Sequence, residues 1–431
     1  MNRKESKNYD SSEEDTEFYR KALLTNLTAS LESKTISKEK NLTENKPTET
    51  RINFVKTILD GNKLKPMIDF DNCDTESYAN TKLNKKIISI KELFMNMNIK
   101  LKYIKSGTTG HTFKAISAID KSIVFAVKVC AYPKDDYGEI TNLSRPENAE
   151  LRMLKLLSYF VINRCTPHLV LPIGTFNTSI KHFIKVDEFI NLEDKKNDSY
   201  KKFITEYNNG KFDDFVSVLI SEWANGGDLL DYIRKNYSRM KLEDWTIIFF
   251  QILFTLARIH EKYPAFRHND MKANNILIEI KENPNSNNTA THYNYHMKDK
   301  GIDFIIPHIK MQVKIWDFDF ACINGTIENN KVNSDWTKKM NITKNQNRYY
   351  DMHYFFNTLI NERFFPQFYK GGVPEEIIEF IHRVVPEQYR IGSKNVNKKG
   401  RIQIDTEYMT PKKVLIRDPL FRKYRYNRKN N

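Results

Sequence analysis

Lys128 stands in the middle of an apolar run, Ile123-Val-Phe-Ala-Val-Lys-Val129. A lysine there is costly unless its ammonium reaches an edge or meets an anion. About one hairpin upstream lies Gly107-Thr-Thr-Gly110-His-Thr-Phe113, a glycine turn between strand-like runs; taken alone, such a turn is ordinarily just a hairpin. Downstream, Glu150 shares a helix face with Leu154 and Leu157, so it points to the core side and could pair with Lys128, with Glu147 as a rival. Two later stretches, His268-Asn-Asp270-Met-Lys272-Ala-Asn-Asn275-Ile-Leu277 and Ile315-Trp-Asp317-Phe-Asp319-Phe, set carboxylates, amides and a cation beside apolar strands. A closing turn, a buried lysine, metal-binding oxygens and a base are what phosphoryl transfer asks of a protein, because positioning and charge neutralisation do most of that work.

Regular elements must hold these groups. Ile99-Lys-Leu-Lys-Tyr-Ile104 alternates apolar and polar, the mark of a half-buried strand. Phe113–Ile116, Ile123–Val129 and Val216–Ile220 read as further strands, and Pro146 opens a helical stretch over Glu147–Phe160. After Gly226-Gly227 the period becomes helical: Trp245, Phe249, Ile252, Leu256 and Ile259 fall on one face. A small strand-rich part followed by a larger helical part predicts an α+β chain in two lobes. Residues 1–85 show no period and read as a disordered polar tail, in which Ser11-Ser12-Glu13-Glu14-Asp15 could accept phosphate. The expected organisation is a small lobe and hinge over 86–224, a larger lobe over 225–422 and a basic tail over 423–431. Polar stretches at about 178–214 and 280–310 read as surface insertions.

Composition bounds the alternatives. Across 431 residues, 40% are hydrophobic and 12% aromatic, enough for a substantial core, so wholesale disorder is excluded. With 69 Lys+Arg against 54 Asp+Glu, the net charge of +15 suits anionic partners or simply a soluble surface. No RRM-like, zinc-finger or helix-turn-helix signature supports nucleic acid as a partner, and Arg422-Lys-Tyr-Arg-Tyr-Asn-Arg428-Lys is the nearest candidate for touching phosphate or lipid. The four cysteines lie far apart without a CxxC pattern, which predicts a reducing compartment rather than disulfides or zinc. The charged N-terminus lacks a signal-peptide core, and the longest apolar stretch is too short to span a bilayer.

The segment 268–277 resembles the protein-kinase catalytic loop, and Ile315-Trp-Asp317 resembles the strand leading into the DFG motif. By that resemblance Asp270 would accept the substrate hydroxyl proton, Lys272 would neutralise the γ-phosphate, and Asn275 and Asp317 would hold Mg²⁺ or Mn²⁺. Gly107 and Gly110 would cover the ATP phosphates, and Lys128 would hold them with Glu150 as its partner. Leu219-Ile-Ser221-Glu222-Trp223-Ala224 looks like a kinase hinge: the backbone of Glu222 and Ala224 would bind adenine, Ser221 would be the gatekeeper, and Asp228 would reach the ribose. Val385-Pro-Glu-Gln-Tyr-Arg390 and the Thr410–Phe421 segment resemble the late arginine segment and closing helix, so the likeness runs over roughly 95–422. Asn347-Arg-Tyr349-Tyr-Asp351-Met-His353 and the sequence Asp317-Phe-Asp319 are similar to the virion-packaged Ser/Thr kinases of poxviruses and their relatives in large cytoplasmic DNA viruses. In that reading Asp351 braces the catalytic loop, the acceptors are Ser or Thr of proteins, and the chain works in virion assembly, in the host cytoplasm or the virion.

The pattern departs at defined places. Lys105 stands for the first loop glycine, Asn269 for the arginine before the catalytic aspartate, and Asp319 for the DFG glycine; no clear APE motif follows. Without that arginine a phosphorylated activation loop has no cation to dock on, which predicts activity without such phosphorylation. Two other outcomes share the motifs: a small-molecule kinase of the choline or aminoglycoside type, and a pseudokinase that transfers nothing. Lys272 argues against the first, and the presence of Lys128, Asp270, Asn275 and Asp317 together argues against the second.

Overall fold

Alternation in the first strands translates directly into a sheet. The structure, a computed structural model, describes residues 46–62, 64–70, 83, 85–107, 110–185, 190–281, 292–297, 301–307 and 311–427. Of the two units into which the chain divides, Met1–Lys46 lies outside those residues except at Lys46, and everything below concerns Pro47–Asn431.

Helices α1 (Lys46–Leu59) and α2 (Ile90–Asn96) precede strands β1 (Ile99–Ser106), β2 (His111–Ser117) and β3 (Val124–Pro133). Helix α3 (Pro146–Ile162), strand β4 (Pro172–Ser179), helix α4 (Asp198–Asn208) and strand β5 (Phe212–Glu222) follow. The five strands form one antiparallel sheet in the order β1-β2-β3-β5-β4. β2 alternates, with His111, Phe113 and Ala115 inward, whereas β3 is buried along both faces from Phe125 to Cys130. That double burial is why an apolar run surrounds Lys128, which sits opposite Thr112 on one side and Leu219 on the other.

The second half is helical with small β elements: α5 (Leu229–Asn236), α6 (Leu242–Lys262), β6 (Phe266–Arg267), β7 (Ile276–Ile280), β8 (His292–His296), β9 (Ile302–Pro307), β10 (Met311–Ile315) and β11 (Cys322–Ile323). Then come α7 (Asp335–Lys339), α8 (Tyr350–Leu359), α9 (Glu375–Val384), α10 (Pro411–Arg417) and β12 (Arg425–Asn427). The α6 stripe is buried as expected, and so are Ile247, Ile248, Phe250, Leu253 and Phe254 between its members. A helix apolar all round belongs inside a core, and α6 is flanked by α3, α9, α10 and β10. β7 and β10 pair antiparallel, which brings the two motif-bearing stretches side by side.

The expectation of a disordered tail is corrected over its second half, and the two polar insertions carry more packed structure than their composition suggests. Within the supposed tail, α1 is a helix, and Val55, Ile58, Leu64, Met67 and Ile68 join the core. Leu64 lies so close to β4 that a Cβ on Gly174 would meet its side chain at 2.6 Å, so a larger residue there would have to displace Leu64. Residues 1–45, 63, 71–82 and 84 of that tail, Ser11 and Ser12 among them, lie outside the described residues. Within 178–214, Tyr200 and Phe203 of α4 pack on His111, with ring centroids 4.6 and 4.4 Å away, and bind the insertion to the glycine-turn strand. Within 280–310, β8 and β9 form a hairpin whose Tyr295 and Phe304 pack on Phe250 of α6 at 5.0 and 5.1 Å. β12, from the supposed basic tail, adds a third strand to it. In each case a few aromatic or aliphatic residues suffice to bury a segment whose average composition is polar.

Among the described residues Cys130, Cys165 and Cys322 are free thiols, and no helix is long and apolar enough to cross a membrane.

Candidate active site

Lys128 meets an anion on each side. Its Nζ lies 2.6 Å from Glu150 Oε1 on α3 and 2.9 Å from Asp317 Oδ1, just beyond β10. Glu147, the rival, bonds Arg145 instead at 3.2 Å, which leaves the place to Glu150. Burial works to deprotonate Lys128, but Asp317 and Glu150 outweigh it and hold the ammonium well above its ordinary range. Burial likewise raises Asp317, yet Lys128 prevails and takes that carboxyl down to about 2. For Glu150 burial is the larger influence and pushes the carboxyl up to about 7 despite Lys128.

The glycine turn lies next to this triad. Gly107 N donates to Gly110 O at 2.8 Å and closes the turn, while Thr108 and Thr109 fall outside the described residues. A Cβ on Gly110 would meet Cys130 Sγ at 2.7 Å and Lys128 Cε at 3.3 Å, so only glycine lets the turn approach β3 this closely. His111 Nδ1 bonds Ser106 Oγ at 2.7 Å, and Tyr103 Oη bonds the same hydroxyl at 2.8 Å, which fixes the entry strand.

Asp270 forms the second cluster. Its Oδ2 accepts from Lys272 Nζ and Asn275 Nδ2, both at 2.8 Å, and its Oδ1 accepts from Arg401. Asn275 Nδ2 also donates to the Asp270 carbonyl at 2.9 Å, which leaves Asn275 Oδ1 as that amide's acceptor. The loop is braced by Asp351 at the start of α8, whose carboxylate accepts from the His268 and Asn269 amides at 2.7 and 2.9 Å. The two clusters are tied together: Trp316 N donates to Asn275 O at 3.1 Å, and His268 Nε2 bonds Trp316 O at 3.0 Å. Asn269 and Asp317 both sit at φ +64°, the left-handed region that costs a non-glycine residue about 1 kcal/mol or more. Asparagine and aspartate tolerate that region best, and residues held there concentrate where a loop must present its neighbours in one fixed direction.

Among the described residues no group of three or more His, Cys, Asp or Glu is placed to hold a metal unaided. Asp317 and Asn275 offer two oxygen ligands, which fits a magnesium-type ion that keeps water and substrate phosphate for its other positions.

The remaining expected residues lie along the strand edge and its exit. Ser221 is buried opposite Ala126. Glu222 N donates to Leu171 O at 3.1 Å, and its carboxylate turns away from the site to Arg51, 2.7 Å distant, and Lys314, 3.5 Å distant. Ala224 is buried just beyond it. Asp228 caps α5 by accepting from Asp231 N at 3.0 Å, and Lys105 approaches its other oxygen at 3.4 Å.

Sequence reasoning missed several partners. Arg401 binds Asp270 from 131 positions downstream, and Lys331 neutralises Asp319 while lying 4.1 Å over the Phe320 ring. Asn329 Nδ2 donates to the Asp319 and Ala321 carbonyls at 2.9 and 3.2 Å. Asn269, in the arginine's place, donates to Phe320 O and Thr343 O, both at 3.1 Å. Nothing in the spacing of these residues announces the contacts.

Comparison with known proteins gives a consistent assignment. No protein-family model matches the chain. A protein of Acanthamoeba polyphaga mimivirus, named as a serine/threonine-protein kinase, is 60% identical over 432 residues, covering 99% of this chain and 91% of that one. A second mimivirus protein of like name is 34% identical over 116 residues, 27% of this chain and 28% of its own. The serine/threonine-protein kinase Nek8 of Danio rerio is 38% identical over 78 residues, 18% of this chain and 11% of its own. With that degree of identity to a relative covered over 91% of its length, the chain belongs to the serine/threonine-protein kinase family.

Proposed function

We propose that this chain is an active protein kinase that transfers the γ-phosphoryl group of ATP to serine or threonine of protein substrates. The observation that carries the reading is Lys128 held between Glu150 and Asp317, with Asp270, Lys272 and Asn275 hydrogen-bonded together next to them. Lys128 binds the α/β-phosphates beneath the Gly107–Gly110 turn, and Glu150 fixes the direction of its ammonium. Asp317 and Asn275 hold Mg²⁺ or Mn²⁺, which supplies charge neutralisation on the transferred group when bound. Asp270 orients the acceptor hydroxyl and takes its proton, while Lys272 balances charge at the γ-phosphate. Adenine lies against the backbone of Glu222 and Ala224, and Asp228 exchanges its contact with Lys105 for the ribose.

In this reading the five-stranded sheet with α3 is the small lobe of a two-lobed kinase fold and the α6-centred part is the larger one. The mimivirus relative supports a viral setting, and the DFDF and Asn347–His353 patterns favour the virion-packaged branch, acting in the host cytoplasm or virion. The basic surface draws acidic protein substrates or other anionic surfaces.

Labelled ATP with Mg²⁺, offered with casein, basic protein and choline in parallel, tests the reading. Phosphoserine or phosphothreonine is expected; label in choline would replace the reading by a small-molecule kinase, and nucleotide binding without transfer to any acceptor would replace it by a pseudokinase. Asp317→Asn is expected to abolish the Mg²⁺-dependent part of nucleotide affinity, measured by titrating a fluorescent ATP analogue with and without the metal. Equal Mg²⁺ dependence in variant and wild type would remove Asp317 from the ligand set.

A further inference from the structure

The least expected group beside Asp270 is Arg401. It comes from a tight turn in which Arg401 N donates to Asn397 Oδ1 at 3.0 Å and Asn397 N donates to Arg401 O at 2.9 Å. Three asparagine side chains pin this turn to the rest of the fold: Asn341 donates to Ile402 O at 2.8 Å, Asn357 to Gly400 O at 2.8 Å and Asn347 to Ile404 O at 3.3 Å. The guanidinium is 4.0 Å from the centroid of the Tyr354 ring and bonds Tyr350 Oη at 3.1 Å, so its plane is fixed before it meets the loop. It then donates to the Asn269 carbonyl through Nη1 and to Asp270 Oδ1 through Nη2.

We propose that Arg401 is a positioning residue for transfer, setting the direction from which the acceptor hydroxyl reaches Asp270; this rests on Asp270 being the base. A carboxylate oxygen offers two lone pairs in its plane. At Oδ2 both are taken, by Lys272 and Asn275. At Oδ1 Arg401 takes one, so the acceptor hydroxyl meets the other, beside a fixed cation. The carboxylate is thereby held at both oxygens and cannot rotate to receive a hydroxyl from elsewhere. Holding the Asn269 carbonyl as well, Arg401 keeps the left-handed residue and its successor in register with Asp351. An arginine from the C-terminal part of the chain thus supplies orientation that the asparagine at position 269 cannot give through its own side chain, which is spent on Phe320 and Thr343.

The test compares Arg401→Met, Arg401→Lys and Arg401→Gln with wild type, using casein as acceptor and a fluorescent ADP analogue with Mg²⁺ as binding probe. Arg401→Met is expected to lower kcat about 10- to 100-fold, the range a misplaced reacting group produces, with nucleotide affinity unchanged. Arg401→Lys should recover a good part of kcat and Arg401→Gln little, since Lys keeps a cation against Oδ1. Should the Met variant fail to fold, the Lys and Gln variants carry the comparison alone. Wild-type kcat in Arg401→Gln, or a loss that appears equally in nucleotide affinity, overturns the proposal. Failure of the underlying reading looks different: wild type itself would label no protein, or Asp270→Asn would label it as well as wild type.

Discussion

Asp270→Asn is expected to lower kcat for protein phosphorylation by about 10²–10⁴-fold, the usual contribution of a positioned base. The substitution keeps the shape and the hydrogen bond at Oδ1 but removes the charge that receives the hydroxyl proton. Nucleotide affinity should stay within about twofold, because the phosphate-side contacts of the proposed site run through Lys128, Glu150 and Asp317. Arg401 and Lys272 both lose their counter-charge, so some loss of stability accompanies the change. Single-turnover phosphorylation with saturating Mg²⁺ and ATP, together with a nucleotide titration, separates these effects. Substantial residual transfer would show that another group orients the acceptor.

Arg51→Met should produce the largest loss of stability, about 3–5 kcal/mol, because it strips one partner from a buried ion pair. Arg51 on α1 meets Glu222 through Nε and Nη2, both at 2.7 Å, and also bonds Pro167 O at 2.7 Å and Leu169 O at 2.5 Å. Lys314, 3.5 Å from Glu222, and the Leu171 amide, 2.9 Å away, are then left to satisfy a buried carboxylate. Burial raises the Glu222 carboxyl, but Arg51 and Lys314 outweigh burial and hold it at about 2, against an ordinary value of 4.5. A carboxyl lowered on folding contributes stability above its unfolded value and loses it as pH falls toward the folded one. Wild type should therefore lose on the order of 3 kcal/mol of this contribution between pH 5 and pH 2, and Arg51→Met should lose less. Denaturant melts of both proteins across that range measure the difference; parallel pH curves would mean that Glu222 draws its stabilisation from Lys314 and the Leu171 amide rather than from Arg51.

The pairs that matter most to these predictions were the least legible in the sequence. Lys128 was visible because an apolar strand surrounds it, and the choice of Glu150 followed from its helix face. Asp270, Asn275 and Asp317 were visible because the segments that carry them resemble the kinase catalytic loop and the strand leading into the DFG motif. Arg51 and Arg401 carry no such mark: an arginine in a polar stretch looks like surface charge whether its partner is water or a carboxylate far along the chain. The same physics hid α1, whose buried Val55 and Ile58 are diluted by Asn, Lys and Thr, and β8, whose inward Tyr295 lies between Asn294 and His296; β9, Ile302–Pro307, is itself largely apolar but short and set in a polar stretch. Average composition reports exposure only when a segment buries a whole face.

The segment following Asp317 is held by groups that every folded copy already carries: Lys331 on Asp319, Asn329 on two carbonyls, Asn269 on two more and Arg267 on the Asn341 carbonyl. In many molecular switches such a segment is left floppy and is ordered later by an added phosphate. Here the entropy of ordering is spent once, as the chain folds. If the proposed activity is correct, output tracks the number of molecules made, and restraint has to come from when and where they are made rather than from a chemical mark on this loop.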